Sequence, residues 1–135
     1  MLDYIIKLTD EFLASKPKDV RKLYGQFFTS KTTAEFMASM FSIPQKRVIR
    51  ILDPGAGTGI LSIALLEKID EQYDFINEIE LTCYETNDDI IPLLESNLEY
   101  IKKSSRLNIT IKIINENYIT SQADDFLGTM MASYF

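Results

Sequence analysis

Asp53-Pro54-Gly55-Ala56-Gly57-Thr58-Gly59 lies between two apolar runs, Val48-Ile49-Arg50-Ile51-Leu52 before it and Ile60-Leu61-Ser62-Ile63-Ala64-Leu65-Leu66 after it. The first run is dominated by Val and Ile and has strand composition. The second is longer than a typical strand and holds no turn residue, so it reads as a helix. Three alternate glycines therefore occupy a strand-to-helix turn, the context that separates a ligand loop from a chance cluster. Without side chains they let a ligand approach the backbone, and they permit positive φ. The N–H groups that open the helix have no partners of their own. The competing reading, a plain tight turn preceded by an aspartate, does not account for the alternation of the glycines.

Asp53 ends the strand and supplies a carboxylate. Beside a nucleotide pyrophosphate that charge would be repelled, which disfavours a nicotinamide dehydrogenase. Beside the cationic amino-acid end of S-adenosylmethionine it is favourable.

The rest of the composition narrows the class. A chain of 135 residues, 46% hydrophobic and 25% charged, is one globular domain with material for a core. The start, Met1-Leu2-Asp3-Tyr4, lacks the basic character of a signal peptide. The single cysteine, Cys83, cannot form an internal disulfide, so a reducing cytoplasm is the expected compartment. Between Thr82 and Tyr84 and with no histidine in the chain, its thiol reads as inert core. The same absence of histidine argues against zinc sites and imidazole acid–base catalysis. The net charge of −6 is wrong for a chain that grips phosphates alone, so any DNA partner is expected to be held mostly by residues outside this chain.

Taken in order, Leu2, Ile5, Ile6, Phe12 and Leu13 predict an amphipathic helix over residues 2–14, ended by Ser15-Lys16-Pro17-Lys18. Tyr24-Gly25-Gln26-Phe27-Phe28-Thr29-Ser30 has two readings, a loop that plugs its aromatics into the core or a ligand-contacting loop with Thr29 as donor or acceptor. Thr32-Thr33-Ala34-Glu35 matches a capping box, and Ala34, Phe36, Met37, Met40 and Phe41 predict one apolar face. After the glycine loop the helix is expected to fade by Gln72. Ile79 to Tyr84 alternates as a second strand and ends on Glu85-Thr86. An acid there can bind ribose hydroxyls, or it can merely cap the next helix; it lies somewhat beyond the usual spacing of about 20 residues from the loop. Asn87-Asp88-Asp89 opens a helix expected to start near Asp89, since Pro92 is tolerable only in a first turn. Leu107 to Ile114 alternates as a third strand, ending at Asn115-Glu116-Asn117-Tyr118.

These positions together resemble the N6-adenine DNA methyltransferases of restriction–modification systems, over residues from about Tyr24 to Tyr118. Gly25-Gln26-Phe27-Phe28-Thr29 resembles their methionine-binding segment, with Ser30 where the family usually has proline. Asp53 to Gly59 matches their methyl-donor loop, Glu85 their ribose-binding acid, and Asn117 stands where an acid usually contacts the adenine amino group. The resemblance implies an α/β fold, the Rossmann-like class I S-adenosylmethionine-dependent methyltransferase fold. Of that fold the chain would hold the N-terminal portion, with flanking helices and about three parallel strands in an incomplete sheet. Residues 1–44 would form a helical segment with the methionine-binding loop, and residues 45–135 the first half of the α/β domain.

The expected cofactor is S-adenosylmethionine, and its expected contacts are Gln26, Phe27, Thr29, Asp53, Pro54, Gly55, Ala56, Gly57, Gly59, Glu85, Thr86, Asn117 and Tyr118. The family's Asn/Asp-Pro-Pro-Tyr/Phe tetrad is missing, and Ala132-Ser133-Tyr134-Phe135 stops where the fourth strand would begin, so a fragment that cannot itself methylate is expected. A methyltransferase for another substrate and a non-catalytic donor-binding remnant remain the alternatives. The resemblance implies a first strand between the second and the fourth; with the order third–second–first Val48–Leu52 becomes an edge, which predicts self-association through it or through the apolar tail after Asp125.

Overall fold

Alternation in the strand sequences dictates the architecture. The computed structural model describes residues 1–25 and 28–122. Within them β1 (Val48–Asp53), β2 (Glu78–Tyr84) and β3 (Asn108–Ile114) form one parallel sheet in the order β1-β2-β3. The register sets Ile49 beside Ile79 and Ile79 beside Ile109, and likewise Ile51, Leu81 and Ile111 in one row. Ile49, Ile51, Ile79, Leu81, Ile109 and Ile111 therefore share one face, as a side-chain period of two requires.

That face is covered by helices. α4 (Ile60–Gln72) follows the glycine loop and buries Ile60, Ser62, Ile63, Ala64, Leu65, Leu66 and Ile69. It is covered on nearly every side because it packs between the sheet and an outer layer of α1 (Leu2–Ala14) and α3 (Lys31–Ser39). α5 (Ile91–Ser104) buries Leu94, Asn97, Leu98 and Ile101, and its Tyr100 meets Tyr4 of α1 with ring centroids 4.4 Å apart. On the opposite face of the sheet Val48, Arg50, Leu52, Glu78, Glu80, Asn108, Thr110 and Lys112 are exposed. Parallel sheets are usually covered on both faces and then read as unbroken apolar runs. Here the alternation in β2 and β3 matches a sheet covered on one side among the described residues. The sheet agrees with the N-terminal portion of a class I methyltransferase fold.

Four local expectations are corrected. Residues after Pro17 form α2 (Lys18–Gly25), with the Arg21 N–H donating to the Pro17 carbonyl at 2.8 Å. Its few apolar residues, Val20, Leu23 and Tyr24, fall at helical spacing within a short, largely polar run. The cap of α3 is Ser30, whose Oγ accepts the Thr33 N–H at 3.2 Å, two residues before the expected capping box. α3 buries the small residues Ala34 and Ala38 against α4, which leaves Phe36 and Met40 64% and 62% exposed. Small residues let the two helices approach closely, and the large ones are pushed outward. Finally, α5 starts at Ile91 rather than near Asp89, because the Asn87 Oδ1 accepts the Asp89 N–H at 2.9 Å in a turn ahead of the helix.

The end of α4 is closed from a distance. Arg106 spreads its guanidinium over the carbonyls of Ile69, Asp70, Tyr73 and Ile76 at 2.8–3.2 Å, tying the last turn of α4 to the connection that leads into β2. Asp70 adds an ion pair at 3.4 Å. A lysine ammonium cannot reach these divergent acceptors from one nitrogen. Arg106→Lys is therefore expected to lower stability by about 1–3 kcal/mol, measured by urea denaturation. An unchanged midpoint would show that this contact does not hold the crossover.

Candidate functional site

At the carboxyl ends of the strands the chain makes three turns that meet. The glycine loop leaves β1, and its Ala56 N–H donates to the Tyr84 carbonyl at the end of β2 (2.9 Å). The Glu85 N–H donates to the Ile114 carbonyl at the end of β3 (3.1 Å). Parallel strands of matched length thus bring loop, acid and third turn to one rim, the place where open α/β sheets gather ligands.

Glu85 braces this rim. Its Oε1 accepts the Gly57 N–H at 2.8 Å and its Oε2 accepts the Asn87 N–H at 2.9 Å. Each carboxylate oxygen has a second lone pair, so both can take a further donor. Gly57 has φ +57° and Gly59 φ +91°, conformations that side-chain-bearing residues rarely adopt. The two glycines face different surroundings. A Cβ on Gly57 would lie 3.6 Å from the Phe28 ring, whereas one on Gly59 would press at 3.2 Å against Leu94 in the core. A Cβ on Gly55 would meet nothing within 4 Å, so the loop backbone is open there.

Asp53 is 7% exposed. Its Oδ2 accepts the Ser62 hydroxyl at 2.6 Å and its Oδ1 the Gly55 N–H at 3.3 Å. The carboxylate thus ties β1 to α4 and to the first glycine of the loop. It lines a groove of about 760 Å³ beside the edge strand β1. That groove is mainly apolar, with Ile43, Val48 and Leu65 among its walls, and it touches the loop only at Asp53 and Pro54.

Two smaller hollows lie over the loop. One of about 360 Å³ is lined by Pro54, Gly55, Tyr84, Glu85, Thr86, Asn117 and Tyr118, among others. Six of the expected contacts therefore share one wall. The other, about 50 Å³, joins Phe28 and Thr29 to Gly55, Ala56 and Gly57. Phe28 is held there by Tyr24 and Phe12, with centroids 6.0 and 6.4 Å away, and the Tyr24 hydroxyl accepts the Asn87 amide at 3.1 Å. The segment ahead of the loop is thus folded onto it. Gln26 and Phe27 lie outside the described residues, as does the tail after Asp125. Asn117 has a structural task as well: its Oδ1 accepts the Thr120 N–H at 3.0 Å and caps the helical turn of residues 118–122.

Sequence reading missed the supports behind the loop. Thr9, Thr58 and Asn97 are 3%, 1% and 0% exposed, and they hydrogen-bond to one another across α1, the loop and α5. A signal existed. Thr9 and Asn97 are polar residues at the apolar spacing of their helices, beside Ile5 and Leu94. Among the described residues no group of three or more His, Cys, Asp or Glu is placed to hold a metal, and no helix is long and apolar enough to cross a membrane.

Comparison with known proteins adds to this geometry. The family model of N-6 DNA Methylase matches residues 7–131. The type II methyltransferase M.BsuBI of Bacillus subtilis is 33% identical to the chain over 89 residues, which are 66% of this chain and 17% of that protein. The chain therefore spans only a small part of the length of this relative.

Cys83, fully buried under the loop, supplies a test of the site's packing. Burial first, and then the Asp53 carboxylate, push its thiol up from 9.0 to about 12. A raised acid favours folding below its unfolded value and loses that contribution as pH climbs through the folded one. Stability is therefore expected to fall more steeply between pH 9 and 12 in the wild type than in Cys83→Ala, read from urea midpoints. Parallel pH profiles would contradict the packing described.

Proposed function

The chain belongs to the N-6 DNA methylase family, and from that premise we propose that it is the S-adenosylmethionine-binding part of a DNA adenine-N6 methyltransferase of the restriction–modification type. The observation that carries this reading is Glu85, which lines the hollow together with Pro54, Gly55, Asn117 and Tyr118 and whose two oxygens each accept one backbone N–H and keep a lone pair to spare. Paired ribose hydroxyls are the donors that such a carboxylate matches. The open backbone at Gly55 leaves room for close approach, and the aromatic ring of Tyr118 offers the nucleobase an apolar wall. Phe28 and Thr29 stand at the other end of the loop, where the methionine moiety would lie. Acidic surroundings suit a cationic sulfonium ligand.

The bound group would supply an electrophilic methyl on sulfur. The exocyclic adenine nitrogen would form the new N–C bond as the S–C bond breaks, leaving S-adenosylhomocysteine and releasing a proton from nitrogen. That nitrogen is a weak nucleophile, because its lone pair is delocalised into the ring, and it needs acceptors to position it. The tetrad that provides them in the resembling enzymes does not occur in these 135 residues. We assign this chain donor binding without transfer, with DNA held by residues outside it. A second copy is the proposed partner of β1, whose edge carries exposed Val48 and Leu52.

Calorimetry with S-adenosylhomocysteine tests the donor site. Wild type is expected to bind, and Glu85→Ala to bind about 10–100-fold more weakly, the value of hydrogen bonds to a charged acceptor. No heat with the wild type, or equal affinity in the variant, would refute the assignment. Transfer of labelled methyl to DNA by this chain alone would refute its catalytic half, and a monomer by light scattering at high concentration would refute the self-pairing.

A further inference from the structure

The glycine loop has two soft points, Gly57 and Gly59, both at positive φ, with Thr58 between them. A segment with freedom on either side holds one shape only if its middle is fixed. Thr58 is fixed twice. Its carbonyl accepts the Asn97 Nδ2 from α5 at 2.9 Å, and its hydroxyl lies 2.8 Å from that of Thr9 in α1. The direction of the second bond is set by proton counting. The Thr9 hydroxyl spends its single proton on the Ile5 carbonyl at 2.9 Å, so Thr58 donates to Thr9. The Asn97 orientation is fixed as well, because only its nitrogen can donate to a carbonyl.

Asn97 holds the loop at a cost to stability. Its Oδ1 is buried with no partner among the described residues, which disfavours the folded state. The position lies in the apolar stripe of α5 between Leu94, Leu98 and Ile101, where a leucine would remove that orphan but leave the Thr58 carbonyl without its donor. What the asparagine supplies instead is a grip on the backbone of the loop.

We propose that Thr9, Thr58 and Asn97 are positioning residues that clamp the glycine loop from behind and so hold the Gly57 N–H against Glu85. The inference rests on the donor-binding reading for its functional consequence, and on geometry alone for the clamp. Through Thr9 it also links the loop to α1, the helix whose Phe12 packs against Phe28.

Amide hydrogen exchange and ligand affinity separate this role from plain packing. In Asn97→Leu the buried Asn97 Oδ1 is removed but the Thr58 carbonyl loses its donor, so the thermal midpoint is expected to change little, while the Gly57 and Gly59 amides exchange at least about tenfold faster and those of β2 stay unchanged. Thr9→Val is expected to act in the same direction, and Thr9→Ser, which keeps the hydroxyl, to restore wild-type exchange. For S-adenosylhomocysteine the expected loss of affinity in Asn97→Leu is about five- to tenfold, the value of one lost hydrogen bond. Unaltered exchange at Gly57 and Gly59 in both variants would overturn the clamp, and so would unaltered affinity in a protein that binds the ligand. If the wild type fails to bind, the donor reading falls, and the exchange data still decide the clamp.

Discussion

The hydrogen bond from the Gly57 N–H to the Glu85 carboxylate joins the two parts on which the site depends. One end belongs to a loop that glycine alone could shape, the other to the residue immediately after β2. Neither part has a defined position without the other. A backbone N–H at positive φ could point in several directions, and an exposed carboxylate on a strand end could turn to solvent. Their pairing at 2.8 Å, with the Ala56-to-Tyr84 bond beside it, fixes the distance between a backbone opened by glycine and an acid. Everything proposed for ligand recognition assumes that distance.

Matched strand lengths and one buried face make this pairing available. Because Ile49, Ile79 and Ile109 stand in register, all three strands end at one rim. The core beneath is dense, with Ile63, Leu66, Leu94 and Leu98 fully or almost fully buried, and Gly59 packs directly on it. Small residues do comparable work elsewhere, since Ala34 and Ala38 let α3 sit closely on α4. Most polar groups inside this packing are engaged, Asp53 with Ser62 and Thr58 with Thr9 and Asn97, while the Asn97 Oδ1 has no partner among the described residues. The protein thus rests its loop on a rigid floor and secures it with directional bonds.

Much of this was legible in the sequence because periodicity reports burial directly. Alternation in β2 and β3 and the apolar run of α4 imply the strand–glycine–helix order, while the three parallel strands and the edge position of β1 follow from the resemblance to the adenine methyltransferases. The positions named for the rim, from Pro54 and Gly55 to Glu85, Thr86, Asn117 and Tyr118, do line one hollow. Other features depend on contacts that no local pattern announces. α2 carries its period in only three residues, Val20, Leu23 and Tyr24, too few to announce a helix. The apolar face of α3 was drawn through its largest residues, whereas close packing selected its smallest. Arg106 acts on carbonyls about 30 residues away in the chain, as its bonds to Ile76 and Tyr73 show. Asp53, named from the sequence as a ligand contact, also holds Ser62 and Gly55, a structural task that no local pattern announces.

The most direct test is a crystal structure of this chain with S-adenosylhomocysteine. The predicted result has both ribose hydroxyls within hydrogen-bond distance of Glu85 and the nucleobase between Pro54 and Tyr118, with the Gly57 and Gly59 backbone unmoved. A ligand seated in the groove along β1, or one that leaves Glu85 untouched, would contradict it.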